Sequence, residues 1–160
     1  ALKGCDVVFM PFYYTEASLF IKKSVEKQSG AVFFGCDGFD GIASHVDGVS
    51  NKIMYITPFD VTATDDQTVA FVNAYKAEYN GALPDQFAAD AYDAVYAIKA
   101  AMEKSGAVPT DSDFNDKMIA AMTEITVEGT TGTMTWDASG EPNKAASLVK
   151  IVGGVYQLYE

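Results

Sequence analysis

The 160 residues hold two cysteines, one histidine and one tryptophan, and each scarcity removes a class of protein. Cys5 begins one apolar run and Cys36 ends the next. In adjacent parallel strands those positions lie at opposite ends of the sheet, beyond the roughly 7 Å reach of a disulfide. Both are therefore read as small buried hydrophobes, and cysteine usage leaves the compartment open. His45 has no second histidine and no cysteine near it in sequence, so it is read as a solvated loop residue and no metal centre is expected. Hydrophobic residues make up 49%, yet no apolar run approaches the roughly 18 residues of a membrane-spanning helix. Positive charge is scarce as well: 11 basic residues stand against 22 acidic ones, a net charge of -11, which repels polyanions and excludes nucleic acid as a partner. No initiator methionine or signal peptide opens the chain, and its first residues read as the approach to a strand, so a processed or excised piece is expected.

What is present is a run of strand and helix signals. Val7–Met10, Val32–Phe34 and Ile53–Thr57 are apolar runs of strand length. Between the first two, Thr15 is placed to cap a helix carrying Ala17, Phe20, Ile21 and Val25 at helical spacing, with Gly30 as its left-handed end. Thr64-Asp65-Asp66-Gln67 matches a capping box that opens a helix to about Tyr79, stopped by Asn80-Gly81. Strands alternating with helices argue for parallel crossovers with both sheet faces covered. After Pro84 the order changes. Phe87, Ala91, Ala94, Val95, Ile98 and Met102 trace the apolar face of a long helix ending at Gly106, and Phe114, Met118 and Met122 mark a shorter one. Gly129-Thr130-Thr131-Gly132 precedes a strand at Thr133–Trp136, and Gly153-Gly154 between two apolar runs is a two-residue hairpin signal.

Asp6-Val7-Val8-Phe9 with Tyr13-Tyr14-Thr15-Glu16-Ala17, Gly35-Cys36-Asp37-Gly38-Phe39-Asp40, Thr57-Pro58-Phe59 and Phe71 to Lys76 are joined further on by Phe87 to Tyr96 and Gly129 to Asp137. In this order the chain resembles the C-terminal part of a periplasmic or extracellular solute-binding protein of the branched-chain amino-acid type, the capture subunit of an ABC importer. The resemblance implies an α/β fold, a three-layer parallel-sheet (Rossmann-like) lobe of the type I periplasmic binding fold, present as a partial fragment. It also implies a division into 1–82, the second half of the C-terminal lobe; 83–136, helices and a strand of the N-terminal lobe; and 137–160, the hinge return and terminal hairpin. The strands of the N-terminal lobe would be missing, so the chain is expected to self-associate, domain swapping being one route, or to bind the missing half.

Two clusters carry the site. An amine ligand needs a short-range carboxylate, which Asp37 supplies, and the glycine at 38 is read as letting a ligand approach the backbone. In the family the acidic residue at the position matching Asp37 receives the ligand's amino group, and the position matching Tyr13 lines the pocket. Tyr14 follows it, Phe59 stands at the third strand's end, and Tyr92 lies where the family places an aromatic facing the ligand. Each has a plainer reading: Asp37 as a loop-shaping residue, the tyrosines as half-wet surface aromatics, Phe59 as packing and Tyr92 as part of a helix stripe. Asp111–Asn115 begins like a calcium loop but lacks the glycine and the glutamate that complete one. The expected function is non-catalytic capture of an amino-acid-like small molecule, weak or absent in the isolated fragment, with a membrane permease as partner of the full-length protein, no cofactor, and a periplasmic or extracellular location, a lipoprotein anchor included. A ligand-sensing receptor of the same fold is the alternative. A hydrolase using Asp37 lacks the second aspartate two positions later, where Phe39 stands, and the chain shows no P-loop, dinucleotide fingerprint or nucleophile elbow.

Overall fold

The computed structural model describes residues 4–47, 49 and 52–159, which fall into two compact units, residues 1–60 with 146–160 and residues 61–145. The first unit is built on a five-stranded sheet. Its strands are β1 (Val7–Met10), β2 (Val32–Gly35), β3 (Ile53–Thr57), β6 (Ser147–Val152) and β7 (Val155–Leu158), in that spatial order. β1, β2 and β3 run parallel, with Phe9 beside Phe34 and Phe34 beside Met54; β6 and β7 are antiparallel additions. Gly153 and Gly154 turn the last hairpin with φ of 60° and 81°, the two positive values that a tight hairpin of this twist requires.

One face of this sheet carries the core. Met10, Phe33, Ile53, Tyr55, Val149 and Ile151 point to it, where Ala17 and Ile21 of α1 (Tyr14–Glu26) and Phe39 and Ile42 of two short 3-10 turns close over them. Phe33 and Phe39 are fully buried, each contributing about 2 kcal/mol by removal of its ring from water. Among the described residues the β2 to β3 crossover is made by those turns, at Asp37–Phe39 and Ile42–His45, with no α-helix. The expectation that both faces are covered holds for one face only: Val7 and Phe9 are each 60% exposed and Ile56 40%.

Helix ends depart from the expected residues for local reasons. α1 starts one residue before Thr15, its N-cap being Tyr13 with no side-chain cap. It ends at Glu26, where Gln28 rather than Gly30 takes the left-handed conformation. Phe20 and Val25 stay partly exposed, at 41% and 36%, while Ser18 and Ser24 are buried with their hydroxyls donating to the carbonyls of Thr15 and Phe20 at 2.8 Å. Cys5 is exposed and Cys36 half-buried, so neither is the core hydrophobe expected from its rarity. Both lie at the margins of strands β1 and β2, where inner-face burial has run out.

The second unit holds α2 (Asp66–Glu78), α3 (Gln86–Ser105), α4 (Phe114–Met122) and the hairpin β4 (Thr126–Gly129) with β5 (Gly132–Thr135). The cap of α2 is Asp65, whose side chain accepts from the amide of Thr68 at 2.9 Å; Thr64 is not the cap. α3 ends as expected at Gly106, with φ 62°. Of the apolar face traced from sequence, Ala91, Ala94, Val95 and Ile98 are exposed and Phe87 and Met102 half-buried, while Gln86, Ala89, Asp93, Ala97 and Ala101 lie inward.

Asp93 explains the rotation. Its carboxyl accepts four hydrogen bonds from the tip of the β4–β5 hairpin: the amide and hydroxyl of Thr130 at 2.9 and 3.2 Å, and those of Thr131 at 2.8 and 2.5 Å. The hydroxyl of Thr68 in α2 donates to the carbonyl of Thr130 at 3.4 Å, tying a third element to the same point. Gly129 must be glycine, because a Cβ there would collide with the Asp93 carboxyl and come within 2.7 Å of the Met134 methyl. Asp93→Ala leaves two buried amides and two buried hydroxyls without partners and is expected to cost about 3 to 5 kcal/mol, read as a fall in thermal stability by circular dichroism.

The hydrogen bond that the Asp65 carboxylate accepts from the Thr68 amide lowers its pKa, so its contribution is present above the unfolded value near pH 3.9 and is lost as pH falls through the lower folded value. Asp65→Ala should therefore lose about 0.5 to 1 kcal/mol at neutral pH, the range of an exposed cap, with the difference from the parent closing in acid denaturation below about pH 4.

Candidate functional site

The carboxyl ends of β1, β2 and β3 are one edge of the first unit's sheet, and the segments leaving them carry four of the five residues singled out by sequence. In an open parallel sheet that edge is where small ligands bind. Met10 ends β1, and Pro11-Phe12-Tyr13 leads into α1; Tyr13, 65% exposed, is the N-cap. Asp37 is exposed and begins the 3-10 turn after β2, its carbonyl accepting from the Asp40 amide at 2.9 Å.

Two glycines bring these segments together. A Cβ at Gly35 would fall inside the ring of Phe39, so only glycine lets the chain fold Phe39 back over the end of β2 into the core. A Cβ at Gly38 would stand 2.7 Å from the Phe12 carbonyl oxygen and 3.3 Å from the Tyr13 Cα. The space over Gly38, read from sequence as room for a ligand, is thus filled by the chain's own backbone, and that close approach is what sets Asp37 beside Tyr13. The signal for it was the glycine between an exposed acid and a buried aromatic, which sequence alone could not assign to one neighbour.

The turn is pinned further by residues not singled out. Asp40 accepts from the Tyr55 hydroxyl and from the Gly41 amide, both at 3.1 Å, and the Tyr156 hydroxyl accepts from the Ala43 amide at 3.2 Å. Tyr55 is 2% exposed; burial, and then the nearby Asp40 carboxylate, drive its phenol well above the ordinary tyrosine range, so it serves as a permanent donor. Tyr14 is half-buried and stacks on His45 with ring centroids 5.1 Å apart. Phe59 is 5% exposed, with its amide donating to the Thr57 hydroxyl oxygen at 3.1 Å.

Tyr92 belongs to the second unit. It is 41% exposed, packs on Phe71 at 4.8 Å and on Tyr96 at 4.9 Å, and donates to the Tyr96 hydroxyl at 3.3 Å, a bond that raises its pKa. With Gln67 and Glu128 it borders a hollow of about 250 Å³ within that unit. A larger hollow of about 910 Å³ in the first unit, bordered by Asp6, Lys23, Lys27 and Gly30, lies at the opposite, amino end of β1 and β2, away from Asp37. Among the described residues no group of three or more His, Cys, Asp or Glu side chains could hold a metal, and no helix is long and apolar enough to cross a membrane.

The two glycines make separable predictions. Gly35→Ala displaces a fully buried ring and should destabilise the whole first unit, by about 1 to 3 kcal/mol in denaturant unfolding, the usual range for overpacking. Gly38→Ala should push the loops at the carboxyl edge apart with a smaller loss of stability, visible as faster amide exchange confined to residues 12–16 and 37–41.

Comparison with known proteins places this architecture. No curated protein matches the chain. The leucine-binding protein LivK of Thermotoga maritima superposes with a TM-score of 0.82 at 19% identity, covering 97% of this chain and 44% of that one. LivJ of Streptococcus pneumoniae, a branched-chain amino-acid transporter substrate-binding protein solved with isoleucine, gives 0.79 at 25%, covering 99% and 46%. An ABC-transporter solute-binding protein of R. palustris solved with benzoate gives 0.80 at 23%, covering 96% and 42%. The chain therefore spans less than half the length of these structures, and the fold is that of part of a type I periplasmic binding protein. A sequence model of the family described as "Periplasmic binding protein" matches residues 1–155, and the chain belongs to that family.

Proposed function

We propose that this chain supplies the amine-facing wall of the ligand cleft of an ABC importer's substrate-binding protein, and that the ligand is an amino acid with a branched-chain or other hydrophobic side group, or a related small amine. The observation that carries this reading is the contact of Gly38 with the Phe12 carbonyl and Tyr13, which joins an exposed carboxylate to exposed aromatics at the carboxyl edge of a parallel sheet. Asp37 accepts the ligand ammonium in a charge-assisted hydrogen bond, Tyr13 borders the ligand's apolar part, and Tyr14, held against His45, backs it. By the family resemblance Tyr92 is a further candidate for ligand contact, while the buried Phe59 acts through packing.

The assignment of residues 1–82 and 137–160 to one lobe and of 83–136 to the other belongs to the same proposal, as does a periplasmic or extracellular location. The wall facing the ligand's carboxylate then comes from polypeptide that these 160 residues do not include. Leucine and isoleucine in the names of two similar structures support the amino-acid reading; benzoate in a third shows how far ligand chemistry varies on this scaffold. No step of this function is catalytic: Phe39, in the place where a haloacid-type hydrolase carries its second aspartate, is fully buried in the core. A ligand sensor of the same fold differs only in what the bound form is handed to.

Titration calorimetry of the isolated chain with leucine, isoleucine and valine should show very weak binding or none. In a two-lobed protein containing this chain, Asp37→Asn should weaken binding tenfold or more, the worth of one charge-assisted hydrogen bond. Tight stoichiometric binding by the isolated chain, or unchanged affinity of the Asn variant, would defeat the assignment. A magnesium-dependent phosphatase activity lost in Asp37→Asn would replace it with the enzyme reading.

A further inference from the structure

The turn that presents Asp37 spans only Asp37–Phe39 and has no side-chain cap. Two backbone bonds close it, from the Phe39 amide to the Cys36 carbonyl and from the Asp40 amide to the Asp37 carbonyl, both at 2.9 Å. Turns of this kind have poorer hydrogen-bond geometry than α-helices, so what fixes Asp37 lies outside the turn.

Two tyrosines of the same sheet reach the crossover. Tyr55 on β3 donates its hydroxyl to Oδ1 of Asp40 at 3.1 Å. That oxygen also accepts from the amide of Gly41, whose φ of 90° separates the two 3-10 turns. Tyr156 on β7 accepts from the Ala43 amide at 3.2 Å. The two rings meet edge to face with centroids 6.1 Å apart, and Tyr55 packs on Phe39 at 6.5 Å. Tyr55 stands at an inward core position, where a phenylalanine would fill the same space. Packing alone does not call for its hydroxyl; the bond to Asp40 does.

We infer that Tyr55 and Tyr156 are positioning residues, a clamp that fixes the direction of the Asp37 carboxylate, so that the terminal hairpin takes part in ligand affinity without touching the ligand. The inference rests on the reading of Asp37 as acceptor of the ligand's ammonium. A charge-assisted hydrogen bond demands a donor and acceptor held within about 0.5 Å of their productive places. The exposed Asp37 side chain takes its direction from the turn, which Gly38 seats on the Phe12 carbonyl at one side and Asp40 ties to Tyr55 at the other. With Asp40 released, the ligand has to order the turn as it binds, and affinity falls. The clamp works by geometry and not by charge, since one oxygen of Asp40 accepts both bonds and an amide oxygen could do the same.

The test uses a two-lobed protein containing this chain, with amide exchange measured without ligand and leucine as the probe in titration calorimetry. Tyr55→Phe should keep the parent's far-ultraviolet circular dichroism and speed exchange at residues 37–43 alone. It should weaken leucine binding about threefold to tenfold, on the scale of one hydrogen bond. Tyr156→Phe should act in the same direction and less. Asp40→Ala should match Tyr55→Phe, and Asp40→Asn should recover most of that loss. In the Asp37→Asn background, Tyr55→Phe should change leucine affinity by less than about twofold, because the two act through one contact. Exchange that rises evenly across the first unit, or not at all, would overturn the inference whatever leucine does. An Asp40→Asn variant as weak as Asp40→Ala would overturn it by making Asp40 the charged partner of the ligand. So would equal losses from Tyr55→Phe with and without Asp37. Tyr55→Phe without effect on binding, beside an Asp37→Asn that weakens it, defeats the inference alone. A parent that fails to bind leucine, or an Asp37→Asn variant that binds as the parent does, defeats instead the reading of Asp37, and exchange at 37–43 then decides whether the clamp holds the turn.

Discussion

The second unit turns on the carboxyl group of Asp93. Four donors from the hairpin tip converge on it, and Asp93, Thr130 and Thr131 are all buried. Rolling α3 to bury Val95 and Ile98 would gain about 2 kcal/mol for each side chain, yet it would expose this cluster and strip partners from four donors and one acceptor, a larger loss. The hydrogen bonds therefore set the rotation of the helix, and the apolar stripe faces outward as a consequence. Glycine at 129 is the steric condition for this, since any side chain there would occupy the carboxyl's place.

The first unit follows a different rule. Its alternating strands put Met10, Phe33, Ile53 and Ile151 on one face, and packing under α1 and the 3-10 turns is complete there. The other face carries Val7, Phe9 and Ile56 at 40% exposure or more, in strands that read as continuous apolar runs. Such runs belong to parallel sheets covered on both sides. Among the described residues the chain thus carries two kinds of exposed apolar surface, one on a sheet and one on a helix.

The candidate site inherits its shape from close contacts. Phe39 folds over Gly35, Asp40 binds Tyr55, and the Phe12 carbonyl rests on Gly38, so a short turn without an α-helix is held as firmly as a helix would hold it. In the proposed site, such a fixed backbone would leave little ordering to be done at Asp37 when a ligand arrives.

How much of this was legible in the residues depends on the range of the physics involved. Period-two and period-3.6 patterns are local, so the strands at Val7, Val32 and Ile53, the Gly153-Gly154 hairpin, and the ends of α2 and α3 could be read directly, and the order of motifs sufficed for the fold class. Strand β4 was not legible, since its four residues are flanked by no turn signal except the one it shares with β5. The inward face of α3 was decided by tertiary structure, since Asp93 binds Thr130 and Thr131 nearly forty residues on. The caps at Thr15 and Thr64 moved by local geometry, Asp65 bonding the Thr68 amide three residues away. The sequence by itself determined which side chains could bind an amine. Only the tertiary structure decided that Asp37 and Tyr13 stand together, because a contact between two loops more than twenty residues apart has no local pattern to announce it.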